Sequence, residues 1–242
     1  MEEQRLTKKE KRALAKEKKR RQIKQQATYN KLKNMFIAVF AVFVIAFFGF
    51  KFINWIKTPT PEVAGKATLV NEKDWIKGNN QASVILIGYS DFQCPACAVY
   101  SALLKQLSEE YPDNLLIAYR HFPLTTIHKN AYPAAKAAES AGKQGKFWEM
   151  HDKLFDNQNE WAEVRDPKDK FIEYARSLEL DEETFKKDFE SGEIKDNVGN
   201  DILSANSLGL NSTPTFFLNG EKVQPNSFQD FKKMIEKEIE NN

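Results

Sequence analysis

The stretch from Val84 to Cys97 constrains the fold more than any other part of this sequence. A continuous apolar run, Val84-Ile85-Leu86-Ile87, gives way within a few residues to Cys94-Pro95-Ala96-Cys97. A run without polar alternation suits a strand buried on both faces, and such a strand needs a sheet covered by helices. Gly88-Tyr89-Ser90-Asp91 ends the strand. Pro95 then fits the first position of a helix, where its missing N–H costs nothing and its fixed φ is already helical. Cys94 therefore reads as the N-cap and Cys97 as one turn in. A thiolate at a helix N-terminus is stabilised by free backbone N–H groups and the positive end of the helix dipole, which lowers its pKa and makes it a better leaving group.

The two cysteines are the only ones in the chain, which narrows their chemistry. A structural zinc site needs four ligands, usually from two such pairs or from one pair plus two closely spaced histidines. The three histidines here, His121, His128 and His151, are separated by six and 22 intervening residues, so no metal is expected. Covalent haem attachment requires His directly after the second cysteine, and position 98 is Ala. A purely structural disulfide closing so short a loop would remove little chain entropy from the unfolded state. The pair reads as a dithiol that cycles with its disulfide, chemistry for which no cofactor is expected.

Charge divides the chain in two. Residues 1–34 carry 13 Lys or Arg against four Glu, a net +9, and an apolar segment follows at residues 35–56. As a helix those 22 residues would span about 33 Å, matching a hydrocarbon core of about 30 Å. Lys51 lies near the far end, where it can snorkel beside Trp55. No small-residue cleavage pattern follows the run, so it reads as an uncleaved anchor rather than a signal peptide. By the positive-inside rule residues 1–34 form a basic cytoplasmic tail that can touch anionic lipid, and the rest faces outward. Apart from Tyr29 the tail lacks interleaved aromatics, so no nucleic-acid partner is expected. Residues 58–242 hold 21 Lys or Arg and 30 Asp or Glu, a net −9. An oxidising compartment outside the cytoplasm is where a protein disulfide persists.

The outer part divides into a linker, 57–66, containing Thr58-Pro59-Thr60-Pro61, and a domain at 67–242. After Cys94 a helix carries Val99, Leu103, Leu104 and Leu107 on its apolar face and stops before Pro112. Leu115 to Arg120 reads as a second buried strand, completing a β-α-β unit with the dithiol at the carboxyl end of the first strand, where open α/β sheets place their sites. From about 125 to 208 the pattern is helical throughout. Thr215-Phe216-Phe217-Leu218, Asn219-Gly220 and Glu221-Lys222-Val223 then form a hairpin, followed by an amphipathic helix from near Ser227. The expected order is β-β-α-β, several helices, then β-β-α.

In this arrangement the outer domain resembles the DsbA-like family of thiol:disulfide oxidoreductases. The resemblance is carried by Tyr89-Ser90-Asp91-Phe92-Gln93-Cys94-Pro95-Ala96-Cys97, Tyr119-Arg120-His121-Phe122-Pro123-Leu124, Ala131 to Phe155 including Gly145-Lys146-Phe147-Trp148-Glu149-Met150-His151, and Ser212-Thr213-Pro214-Thr215. It implies an α/β thioredoxin-like fold with an inserted all-helical subdomain, which accounts for the 117-residue offset from Cys97 to Pro214. It also implies that Thr213-Pro214 is a cis peptide opposite the dithiol, with the residue before the proline pairing with substrate backbone. The competing reading of Pro214 is an ordinary first residue of an edge strand. Asp91 could assist proton transfer to or from Cys97, or could be a turn residue at the strand end. His121 and His128 carry no assignment, and Phe147 and Trp148 read as core.

The function this implies is a membrane-tethered oxidoreductase acting on reduced or unfolded exported proteins. A substrate thiolate attacks the sulfur of an exposed Cys94, Cys97 leaves, and a second substrate thiol resolves the mixed disulfide. Reoxidation by a DsbB-type membrane partner is implied by the resemblance alone. The same dithiol would serve a reductase or isomerase, and a third reading is a chaperone or copper-handling module using the thiols as soft ligands.

Overall fold

The computed structural model describes residues 69–241. The expected tail at 1–34, anchor at 35–56 and linker at 57–66 lie outside the described residues. Among the described residues no helix is long and apolar enough to cross a membrane.

The element order expected from the sequence is the one observed. Strands β1 (Trp75–Gly78) and β2 (Val84–Ser90) precede helix α1 (Pro95–Glu110) and strand β3 (Leu115–His121). Six helices follow: α2 (Ala131–Gly142), α3 (Phe147–Asp156), α4 (Gln158–Trp161), α5 (Lys168–Ser177), α6 (Glu182–Glu190) and α7 (Gly192–Ser207). Strands β4 (Thr215–Leu218) and β5 (Glu221–Val223) and helix α8 (Phe228–Asn241) close the domain.

The five strands form one sheet in the order β1-β3-β2-β4-β5. β2 and β3 are parallel, with Val84 opposite Leu115 and Ser90 opposite His121, and α1 supplies the crossover that a parallel pair requires. The other three pairings are antiparallel. Asn219 (φ 47°) and Gly220 (φ 88°) both adopt the positive φ that a two-residue hairpin turn demands.

The apolar run of β2 is covered from both sides, as its composition requires. Val84 and Leu86 pack with Leu107 of α1 and with Phe231 and Ile235 of α8. Ile87 and Tyr89 pack with Ala205 of α7 and Leu210 on the other face. The inserted helices surround α2, where ten of the 12 residues are buried. Its alanines permit that close approach, and Gly142 is required at its end, since a Cβ there would lie 2.3 Å from the Trp75 ring. The cluster these helices enclose, including Phe147, Met150, Trp161 and Phe171, extends to Phe92 and Cys97. The dithiol thus sits where the sheet meets the helical insertion. One expectation fails on α1: Val99 is 62% exposed, because the helix packs through Leu107 and leaves the Val99 side of its first turn to solvent.

Candidate functional site

The strand-to-helix junction is built as the local sequence requires. Cys94 holds an extended conformation as the N-cap of α1, with Pro95 in the first turn. Its N–H donates to the Asp91 carbonyl at 3.1 Å, and its carbonyl accepts from the Ala98 N–H at 3.2 Å. Both cysteines are free thiols.

The two sulfurs occupy different environments. Cys97 is 1% exposed, and its Sγ accepts from the Asp91 backbone N–H at 3.5 Å and is also bonded by the Ser90 side chain. Cys94 is 7% exposed, less than the sequence led us to expect. Its Sγ lies 3.5 Å from the Thr213 carbonyl, which shields it, while Pro95 and Ala96 beside it are open to solvent. A hydrogen bond from the Cys97 thiol is the main cause that brings Cys94 down from 9.0 to about 5; it outweighs partial burial and is joined by the N–H groups of Cys97 and Ala96 and by Thr213. Burial pushes Cys97 far above the ordinary thiol range, and the adjacent Cys94 sulfur adds to that rise. At neutral pH the negative charge therefore rests on Cys94 and the proton on Cys97.

This asymmetry carries a stability prediction. A thiol whose pKa is lowered by folding stabilises the reduced fold most fully above its unfolded value, and the gain disappears as pH falls through the folded value. The disulfide form has no such gain. The melting temperature of the reduced protein is expected to exceed that of the disulfide form at pH 7.5, and the gap to shrink at pH 4.5, below the Cys94 value of about 5. A gap that stays constant between the two pH values would contradict the Cys94 assignment.

Thr213-Pro214 is cis, and the Thr213 carbonyl faces Cys94. Asp91 is 1% exposed, and its carboxylate is occupied elsewhere: Oδ1 accepts from the Gln93 N–H at 2.7 Å, and Oδ2 accepts from the Leu124 N–H and contacts His128 Nδ1, both at 2.8 Å. It is the Asp91 amide, not its carboxylate, that reaches Cys97. His121 pairs with Glu139 of α2 at 3.0 Å.

Two side-chain amides that sequence reading passed over hold the active-site turn against the insertion. Gln158 Nε2 donates to the Phe92 carbonyl at 2.7 Å and to the Cys94 carbonyl at 3.1 Å. Gln93 donates to the Ala162 carbonyl at 2.7 Å and accepts from the Asn130 N–H at 2.7 Å. A lone glutamine on a helix carries no periodicity that would single it out, and Gln158 lies 64 residues beyond Cys94.

The family model described as Thioredoxin matches residues 70–237. The chain belongs to the thioredoxin family. Crystal structures named for DsbA-type proteins share the fold. α-DsbA1 of Wolbachia pipientis superposes with a TM-score of 0.66 at 22% identity, covering 74% of this chain and 96% of that one. The thiol-disulfide exchange protein α-DsbA2 of the same organism gives 0.62 at 19% identity, covering 71% and 90%. Among curated relatives, a protein named Na(+)/H(+) antiporter NhaA 1 of Mycolicibacterium vanbaalenii is 36% identical over 193 residues, 76% of this chain. The match spans only 30% of that longer protein, so the antiporter name belongs to the longer protein. The thioredoxin-like, DsbA-type fold is the general kind that disulfide oxidoreductases use. Among the described residues no group of three or more His, Cys, Asp or Glu is placed to hold a metal ion.

Proposed function

We propose that this protein is a membrane-tethered thiol:disulfide oxidoreductase that introduces disulfides into exported proteins, with Cys94 and Cys97 as its reacting groups. The observation that carries this reading is the split between the two sulfurs: Cys94 lowered to about 5 at a helix N-terminus, Cys97 buried and raised. In the oxidising direction a substrate thiolate attacks Cys94 Sγ. The Cys94–Cys97 bond breaks, and Cys97 leaves with the electron pair and takes up a proton. A second substrate thiolate attacks the substrate sulfur of the mixed disulfide, forming the substrate disulfide and releasing Cys94 as thiolate. Stabilising that thiolate favours the reduced enzyme and so makes the disulfide form a stronger oxidant.

Thr213 and Pro214 are proposed to receive the substrate backbone beside Cys94, supported by the 3.5 Å approach of the Thr213 carbonyl to its sulfur. For Asp91 the geometry favours the role of holding the active-site turn over proton transfer. The basic segment at 1–34 and the apolar segment at 35–56 support an anchor with the domain outside the cytoplasm, touching lipid through that anchor and reoxidised by a DsbB-like membrane partner.

The test is the reduction potential of the Cys94/Cys97 pair in glutathione buffers. The expected value lies near about −120 mV, the range of a strong dithiol oxidant, whereas a value near about −270 mV would mark a reductant and overturn the oxidising direction.

A further inference from the structure

Behind Cys97 lies a cavity of about 30 Å³ between the sheet, α1 and α3. Ser90 and Tyr119 line its sheet side, Cys97 lines it from α1, and His151 and Asp152 line it from the helical insertion. Its volume exceeds the roughly 10–15 Å³ that one water molecule requires. Its wall carries polar groups to hold one, including the Tyr119 hydroxyl and the Ser90 side chain.

Among the titratable groups that line this cavity, His151 is the imidazole, and the exchange chemistry has so far left it unused. Its Nδ1 lies 2.9 Å from Asp152 Oδ1. Although burial opposes it, hydrogen bonds from His151 and Lys105 hold the Asp152 carboxyl down at about 2, so this carboxylate only accepts. Nδ1 must therefore carry the ring proton, and in the neutral imidazole Nε2 is the acceptor. Cys97 is only 1% exposed, so its own proton has little direct contact with bulk water. The Asp91 carboxylate is already committed to three partners.

We propose that His151 Nε2 accepts the proton of Cys97 across this cavity when Cys97 attacks a mixed disulfide on Cys94, and returns it when the reaction runs the other way. This rests on the exchange chemistry proposed above. In the attack the Cys97 S–H bond breaks and its proton passes to Nε2, directly or over one water. The sulfur's electron pair forms the Cys94–Cys97 bond. The bond between Cys94 and the substrate sulfur breaks, and its pair leaves on the substrate as thiolate. The imidazolium formed is stabilised by Asp152, which Lys105 of α1 meets at 3.0 Å and through which the proton can pass to solvent. In the oxidising direction the same groups run in reverse, and the imidazolium protonates the leaving Cys97.

The charged and titratable groups around His151 set the pH at which it acts. Burial holds its pKa below 6.5, Asp152 opposes that, and Lys77 of β1 and His121 of β3 add to the lowering. Tyr119 of β3 contacts the ring edge-on at 5.1 Å between centroids, and Lys105 acts through Asp152. A base of this kind loses its acceptor when protonated, so Cys97 attack slows as pH falls through the histidine value, somewhere below 6.5.

The reduced full-length protein, mixed with excess oxidised glutathione and quenched with acid, separates the two steps by mass: glutathione adds to Cys94, then Cys97 displaces it. His151→Gln is expected to slow the displacement about 100-fold, to leave glutathione addition within about twofold, and to abolish the acid inflection of the displacement rate between pH 5 and 8. Displacement within about threefold of the native rate, equal slowing of both steps, or slowing that keeps the native inflection would each overturn the proposal. Should His151→Gln fail to fold, Asp152→Asn is expected to move the inflection to lower pH, and an unmoved inflection overturns the proposal. If the native protein forms no glutathione adduct at Cys94, the exchange function itself fails, a result separate from all of these.

Discussion

Cys97→Ala protein is expected to accumulate as mixed disulfides with substrate proteins through Cys94, while Cys94→Ala protein accumulates none, and turnover of either falls to the uncatalysed background. The physical basis is the division of labour between the sulfurs. Cys94, lowered to about 5, is a thiolate across the neutral range and borders exposed Pro95 and Ala96. It can attack a substrate disulfide without help. Cys97 is 1% exposed and keeps its proton, so it reacts only with a sulfur delivered to it from Cys94. Removing Cys97 deletes the internal step that would release the captured substrate. Non-reducing electrophoresis followed by mass spectrometry of the adducts reads the outcome. Capture by Cys94→Ala would mean that the buried sulfur is the one substrates reach, and would reverse the assignment.

Asp74→Ala is expected to cost about 3–5 kcal/mol of stability. Arg120 on β3 donates from Nε to Asp74 Oδ1 and from Nη2 to Asp74 Oδ2, both at 2.8 Å, and from Nη1 to the Tyr89 hydroxyl at 2.8 Å. The two charged side chains are 2% and 1% exposed. A guanidinium in this setting does not shed its charge; the Asp74 carboxylate raises its pKa further, although burial acts the other way. Deleting the carboxylate leaves a buried cation short of its bidentate partner, which is why breaking such a pair costs more than the pair contributes. For a domain of this size the loss corresponds to a fall of roughly 10 °C in Tm. Replacing both members by apolar residues of similar size is expected to recover much of it. Thermal unfolding of the reduced protein decides the matter, and a loss under about 1 kcal/mol, the level of an exposed pair, would show that the site is wetter than its burial implies.

The elements were legible where their causes are local. The apolar run of β2, Pro95 behind an N-cap, and Asn219-Gly220 between two short apolar strands each encode structure through neighbours along the chain. The order of the elements along the chain, helical insertion included, could be read from these together. Val99 was misread because helical periodicity gives the spacing of an apolar face but not which part of it finds a partner. Asp91 could not be decided from its position three residues before Cys94, since its role depends on the Leu124 N–H and His128, which the fold brings to it.

What the sequence determined by itself is that two thiols stand at a strand-to-helix junction, one at the cap and one a turn later, in a family whose fold it names through several ordered motifs. The tertiary structure alone decided how those thiols differ. Burial of Cys97 beneath the insertion, the Thr213 carbonyl arriving from 119 residues away, Gln158 pinning the Cys94 carbonyl, and His151 facing the cavity behind Cys97 are all through-space facts. Desolvation and hydrogen bonding set a thiol's pKa, and both depend on which atoms surround it, a quantity that no spacing along the chain records.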